Sequence, residues 1–471
     1  MKYATVAEIR EFDKALLTHV NQEDLLARAA AGVSDFVSDM CGNGKPDVYV
    51  LPGKGFNGED AKIAGRNLDE RGFRVMFCGG SGETALPFMV RRGSVIIDGV
   101  LGIGAKDPPR GAALEMIRWI NSMRGRAKIV AVDVPSGWNA DTGEPFSGNP
   151  DDVVAADYTV CMGLPKIGMA REGSLRWCGC VYAHDLGDSV RRPAEPSICS
   201  AGRLTPPNEM ITESDVNALV PPRKWDGHKG DYGHVVVIGG AVGYAGAPVI
   251  AATGAMRSGA GLVSLLMPES CRSGFIPPIP PEVMVRPLEQ HFDLTGKVVV
   301  VGPGYAGCTS DDILRLANES GARGIVIDAD GLNAFKGKAE LMRKIKVPCI
   351  ITPHPGEAAK LLGESGAARG DARPPTLEKL VGATGATVVL KGAGTLVSAP
   401  GEGVHLAPFA NPGMSKGGMG DFLAGMCGAC LARGFSAFGA ARVAAWKHAD
   451  AGARCAWRLG HDTMRATDLL S

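Results

Sequence analysis

At 471 residues the chain is long enough for two to four domains, and 50 Lys plus Arg against 50 Asp plus Glu leave no net charge, which argues against a large nucleic-acid or membrane-surface footprint. A content of 45% hydrophobic but only 6% aromatic residues suits Val/Ile/Ala-rich α/β layers better than a β-sandwich, and 65 aperiodic glycines exclude collagen and imply many tight turns. The 12 cysteines are scattered, and the close pairs Cys178/Cys180 and Cys427/Cys430 lack the further cysteines or histidines of a metal site, so Cys427 and Cys430 are expected in the core.

The N-terminus, Met1 to Asp13, is charged and lacks the apolar core of a signal peptide, giving the expectation of a cytoplasmic protein. Val235 to Met256 is uncharged and long, but its glycines and Pro248 read as strand, turn and helix and not as a membrane span. Apolar positions at helical spacing from Thr5 to Met40 predict two helices. A strand at Asp47–Leu51 then leads through a glycine turn, Pro52 to Asp60, to a helix from Ala61 to Arg71 stopped by Gly72, and to a strand at Phe73–Phe77. Gly53, Gly55 and Gly58 match the spacing of a dinucleotide turn, yet Phe77-Cys-Gly-Gly80 offers no acid for a ribose, which argues against an ordinary dehydrogenase. The strands Ser94–Asp98 and Lys128–Asp133 each end in an aspartate at the carboxyl edge of the sheet, where chemistry collects; simple turn capping stays open. Aspartate, asparagine and a hydroxyl on one edge would suit an alkali or alkaline-earth cation.

Leu51-Pro-Gly-Lys-Gly-Phe-Asn-Gly-Glu-Asp60, Asp98-Gly-Val-Leu-Gly-Ile-Gly104, Ala131-Val-Asp-Val-Pro-Ser-Gly137 and Gly163-Leu-Pro-Lys166 resemble the NAD(P)H-hydrate epimerase domain, over about residues 1–190. The resemblance implies a potassium ion held by Asn57, Asp98 and Ser136. It implies substrate contacts from Asn57, Gly58, Asp60, Gly102 and Asp133, with Asp133 catalytic. The family usually shows Asn-Asn-Gly-Gly-Asp where this chain has Phe56-Asn-Gly-Glu-Asp60, so Phe56 and Glu59 bring bulk and negative charge to the place where a pyrophosphate would approach. Gly104 to Arg110 also lacks the usual threonine.

A proline-rich stretch without apolar periodicity, residues 191–209, is expected to be an interdomain linker ahead of a second domain at 210–471. Val/Ile runs at His234–Ile238, Lys297–Val301, Gly324–Asp328, Pro348–Thr352 and Thr387–Lys391, mostly separated by helical segments, predict a mainly parallel sheet covered by helices. Their loops, Gly302-Pro-Gly304, Asp328 to Asn333, Pro353 to Glu357 and Lys391 to Thr395, are expected to ring one cleft with the stretch Asn411 to Asp421. That last stretch is a glycine loop feeding a helix expected from Asp421, a place that attracts anions; Asp421 is a general base or only an N-cap. A glycine cradle, a basic group and a base are the parts phosphoryl transfer needs.

His228-Lys-Gly-Asp-Tyr-Gly-His234, Gly302-Pro-Gly304, Asp328-Ala-Asp330, His354-Pro-Gly-Glu357, Lys391-Gly-Ala-Gly-Thr395 and Gly417-Gly-Met-Gly-Asp421 resemble the ADP/ATP-dependent NAD(P)H-hydrate dehydratases of the ribokinase-like superfamily. The resemblance implies Asp421 as catalytic base, Lys391, Gly392, Ala393, Gly394, Thr395 and Gly420 at ADP or ATP, Ala247, Gly304, His354 and Asp421 at the hydrated cofactor, and Mg2+ on the phosphates. The expected fold class is two three-layer α/β/α domains, the first Rossmann-like and the second ribokinase-like. The expected partner is a small-molecule substrate, with neither nucleic acid nor membrane; a homo-oligomer stays open. A ribokinase-like small-molecule kinase with a non-catalytic N-terminal binding module is the competing reading.

Overall fold

The computed structural model describes residues 1–79, 85–187, 209–272, 278–369 and 372–470. The chain divides into two compact units, Met1–Leu204 with Pro408–Asn411, and Thr205–Ala407 with Pro412–Ser471. Most of the expected linker, residues 191–208, lies outside the described residues. Glu209, expected as its last residue, already belongs to a strand with Met210.

The first unit is built on six parallel strands: β1 Val48–Pro52, β2 Val75–Phe77, β3 Val95–Gly99, β4 Lys128–Val132, β5 Tyr158–Met162 and β6 Cys180–His184, in the order β2-β1-β3-β4-β5-β6. β1 and β3 are buried along their whole length, and β4 everywhere except Lys128, as expected of strands covered on both faces. The two expected N-terminal helices are Val6–Leu16, opened by a Thr5/Glu8 capping box, and Gln22–Cys41, capped by Asn21. One boundary differs from expectation. The helix after β1 runs Phe56–Glu70, starting five residues before Ala61, so Asn57 and Gly58 stand in its first turn and Asp60 opens its second, and none of them lies in a loop. Gly58 permits this: any side chain there would collide with the Gly53 carbonyl.

The second unit carries β7 Glu209–Met210, β8 His234–Ile238, β9 Leu262–Met267, β10 Met284–Pro287, β11 Val298–Val301, β12 Gly324–Ile327, β13 Cys349–Ile351, β14 Thr387–Leu390, β15 Thr395–Ser398 and β16 His405–Ala407. They form one sheet, β10-β9-β8-β11-β12-β13-β14-β15-β16-β7, parallel from β10 to β14 and antiparallel across β14, β15 and β16. β8, β11, β12, β13 and β14 are consecutive neighbours, so the loops at their carboxyl ends fall along one edge, as expected.

The helix Met419–Ala432 lies against the helix Gly246–Arg257, with Gly425 against the Ala251 carbonyl and Gly254 against the Phe422 carbonyl; a Cβ at either glycine would overlap the oxygen. This contact fixes the depth at which the N-terminus of Met419–Ala432 meets the sheet edge. Cys427 and Cys430 are buried on that helix, as expected of core residues. Among the described residues no helix is long and apolar enough to cross a membrane.

Candidate functional sites

In the first unit, β3 and β4 place Asp98 and Asp133 at adjacent strand ends. Asp98 is fully buried. It accepts hydrogen bonds from the Ser136 hydroxyl at 2.6 Å, the Ser136 amide at 2.9 Å and the Val100 amide at 3.2 Å. Burial pushes its carboxyl up to about 6, against the lowering pull of the Ser136 bonds. The Leu101 carbonyl lies 3.2 Å from both Ser136 Oγ and Asn57 Nδ2, and Gly102 faces the Asn57 side chain, where a Cβ would come within 3.3 Å of Oδ1. The structure thus brings Asn57, Asp98, Ser136 and Gly102 together.

Asp133 sits just beyond β4 at φ 64, a left-handed conformation that a non-glycine residue holds only when its surroundings enforce it. Its carboxylate is ion-paired to Lys166 and accepts from the Met162 amide at 2.9 Å. The Lys166 ammonium, 1% exposed, also donates to the Met162 carbonyl at 3.0 Å. Burial alone would lower the Lys166 pKa, and the Asp133 charge overcomes burial and raises it. Two more acids surround this pair. Burial pushes Asp60 up to about 7, helped by the charges of Asp133 and Glu59, and its Oδ1 is buried with no hydrogen-bond partner among the described residues. Burial raises Asp13, on the first helix, to about 6; Lys166 opposes the rise and Asp133 adds to it. Phe56 is 64% exposed, and Glu59 turns to Lys62 at 3.2 Å. Sequence reading quoted Lys166 only within a motif and missed Asp13, whose helical spacing marks the helix but not what it faces.

In the second unit, Asp421 is the third residue of its helix. The helix starts at Met419 with Gly418 as N-cap at φ 91, so the capping alternative for Asp421 falls. Among the described residues the Asp421 carboxylate has no hydrogen-bond partner, and the amides of Gly417, Gly418, Gly420 and Asp421 donate to none. Lys416 fixes the preceding loop by donating to the Asp462 and Met464 carbonyls. Burial raises Asp421 to about 7; the Asp328 charge adds to this, Lys391 opposes it, and Glu357 and Asp330 add further. A carboxyl poised near neutrality beside unspent helix amides can take a proton from a hydroxyl while an anion sits on the amides.

Lys391 is engaged within the site. Its ammonium donates to Asp328 Oδ1 at 2.8 Å and lies 3.7 Å from Glu357 Oε2 and close to Gly420, whose added Cβ would stand 3.0 Å away. Burial lowers its pKa, but Asp328 and Glu357 outweigh this and raise it. Asp328 is 1% exposed and also accepts from the Thr352 hydroxyl at 2.8 Å. The next residue, Ala329, is held at φ 47. His354 caps the helix Pro355–Leu362: the amides of Gly356 and Glu357 donate to its Nδ1 at 3.0 and 3.3 Å, which leaves Nε2 as the donor, on a ring 55% exposed. Gly304, at φ 61, packs against Tyr244 and against Ala247, so the expected substrate contacts Gly304 and Ala247 are neighbours. Gly392, Ala393 and Gly394 form the β14–β15 turn and Thr395 opens β15, its hydroxyl 3.3 Å from the Gly392 carbonyl. Asp328 and Glu357 stand inside motifs quoted from the sequence, yet their grip on Lys391 was not legible there.

A family model described as NAD(P)H-hydrate dehydratase matches residues 235–471, and one described as YjeF-related protein N-terminus matches residues 22–87 and 81–168. The bifunctional NAD(P)H-hydrate repair enzyme Nnr of Coxiella burnetii is 32% identical over 98% of this chain and 96% of its own length, and that of Escherichia coli is 33% identical over 92% and 86%. The chain belongs to the bifunctional NAD(P)H-hydrate repair enzyme family. Among solved structures, the Bacillus subtilis ADP/ATP-dependent NAD(P)H-hydrate dehydratase co-crystallised with ATP/Mg2+ is similar over 56% of this chain and 95% of its own, at 26% identity and a TM-score of 0.48. The two family models lie in order along the chain, the YjeF-related one first and the dehydratase one second.

Proposed function

We propose that Asp421 carries the dehydration of hydrated NADH and NADPH in the second unit, by driving phosphorylation of the ring hydroxyl and loss of phosphate. The observation that supports this most is its carboxyl, raised to about 7 on the first turn of a helix whose Gly420 and Asp421 amides are unspent. Asp421 takes the hydroxyl proton, and the Gly417 to Gly420 amides receive the transferring phosphoryl group. Lys391 to Thr395 and Gly420 bind ADP or ATP, while Ala247, Gly304 and His354 hold the hydrated ring. Lys391, braced by Asp328 and Glu357, brings a fixed positive charge to the phosphates. Magnesium on the nucleotide phosphates would neutralise part of their charge when bound.

In the first unit the family's epimerase activity interconverts the R and S hydrates, so that both reach the dehydratase. Asp133 acts on the substrate, bound by Asn57, Gly58, Asp60 and Gly102. One carboxylate with hydroxyl, amide and carbonyl oxygens around it fits potassium better than a divalent ion. Asn57, Asp98 and Ser136 would hold that potassium, which supplies positive charge near the pyrophosphate when bound. Phe56 is exposed and Glu59 pairs with Lys62, but the Glu59 charge still acts on Asp60, so a pyrophosphate approaching this loop meets added negative charge.

The test is a mixture of R and S hydrates incubated with ADP or ATP, followed at the reduced-nicotinamide absorbance. Full recovery is expected. Recovery of the S fraction alone removes the epimerase assignment, and consumption of nucleotide with a stable phosphorylated product points to the kinase reading instead.

A further inference from the structure

Arg373 is an arginine in an awkward place. It is the first residue of the helix Arg373–Thr384, where the helix dipole disfavours a cation, and it is 2% exposed. Pro374 and Pro375 follow it and fix the backbone of that first turn. Its guanidinium reaches the β14–β15 turn, where Nη2 donates to the Leu390 carbonyl at 3.1 Å and the Lys391 carbonyl at 3.2 Å, and Nη1 donates to the Ala393 carbonyl at 3.0 Å. Gly392 lies against the guanidinium so closely that a Cβ would stand 2.7 Å from Nη2.

We infer that Arg373 is a positioning residue for the nucleotide loop: by holding these three carbonyls it aims the amides of Gly392 and Gly394 away from itself as an anion cradle. The reason is peptide geometry. In a trans peptide the C=O and N–H point in opposite directions, so capturing the oxygens of Lys391 and Ala393 turns the N–H groups of Gly392 and Gly394 to the other side. The third such N–H, of Lys391, is spent on the Pro353 carbonyl at 2.9 Å. Among the described residues the Gly392 and Gly394 amides donate to nothing. Two amides, one residue apart and turned to the same side, offer an anion two donors, and the buried guanidinium adds positive potential behind them. A lysine could not replace it, because the three donors of an ammonium radiate from one atom, whereas these carbonyls are reached from two nitrogens of a planar fork. The inference rests on the assignment of ADP or ATP to this loop.

The experiment uses the full-length chain with Arg373→Lys and Arg373→Ala. Initial rates give the KM for nucleotide and for hydrate separately, and a fluorescent ADP analogue reports binding directly. Arg373→Lys is expected to raise the nucleotide KM and the analogue Kd about tenfold, as loss of charge-assisted hydrogen bonds does, with the hydrate KM unchanged. Added guanidinium ion is expected to restore analogue binding to Arg373→Ala. An unchanged nucleotide KM in Arg373→Lys, or equal shifts in both KM values, overturns the inference; if Arg373→Ala does not fold, Arg373→Lys decides alone. Wild-type turnover that needs no nucleotide would overturn the loop assignment itself, and the inference with it.

Discussion

Replacing Asp421 by Asn should abolish dehydration and stabilise the protein at the same time. The ordinary carboxyl value of 3.8 is raised to about 7 in the fold, and each pKa step of one is worth about 1.36 kcal/mol, so holding Asp421 ionised costs at most about 4 kcal/mol. The sign follows from linkage. Between pH 4 and 7 the unfolded chain has released this proton while the folded chain keeps it, so wild-type stability falls across that window and stays low above it. The carboxamide carries no such cost, and the carboxylate it replaces has no hydrogen-bond partner to lose among the described residues. Melting temperatures of wild type and Asp421→Asn, compared from pH 4 to 8, should coincide at the acid end and diverge in favour of the variant by pH 7. Turnover should fall by a factor on the order of 100 or more, as for loss of a general base. A variant less stable than wild type at pH 8, or a pH-independent difference, would refute the burial argument; retained turnover would refute the base assignment.

Asp328→Asn removes a negative charge that helps hold Asp421 high, so the acid limb of the dehydratase pH–rate profile, expected near 7, should move to lower pH; an upward move contradicts the electrostatics. Gly425→Ala drives a Cβ into the Ala251 carbonyl and should cost about 1–3 kcal/mol in chemical denaturation, whereas an unchanged midpoint would show that the two helices slide freely. Ser136→Ala should raise the potassium concentration needed for R-hydrate consumption about tenfold, and an unaltered potassium dependence would remove Ser136 from that site. Asp133→Ala should stop R-hydrate consumption while S-hydrate repair continues, and undiminished R consumption would leave the first unit as a binding module.

Much of this fold was legible because its central strands are buried on both faces and so appear as unbroken Val/Ile runs ending in Asp, Gly or Thr. Asp98 and Asp133 were found that way, at the strand ends where the structure puts them. Helix starts were less legible. Glycine reads as a breaker, yet Gly58 and Gly420 lie inside first turns, the one against the Gly53 carbonyl and the other beside Lys391. Long-range electrostatic partners were hidden altogether. Asp328 and Lys391 are 63 residues apart, and Asp133 and Lys166 are 33 apart; no periodicity connects residues that meet only when parallel strands are laid side by side. Arg373 did leave a signal, a cation ahead of two prolines at a helix start, where the dipole alone would not favour it.

Both units set an aspartate and a buried lysine at the carboxyl ends of parallel strands, but they divide the charge differently. In the first, Lys166 is bound directly to Asp133, the residue assigned to act on the substrate, and the acids left with raised pKa values are Asp60 and Asp13 around the pair. In the second, Lys391 is satisfied by Asp328 and Glu357, and Asp421 is left to hold a proton near neutrality. The second arrangement suits a step that must accept a proton and then tolerate phosphate dianions, because its lysine stays charged whichever form Asp421 adopts. The first suits a reaction in which no phosphoryl group moves and the substrate's own pyrophosphate is the only strong anion to accommodate. A lysine that neutralises the acting carboxylate in one unit and spares it in the other is a physical reason for two activities to occupy two separate sheets.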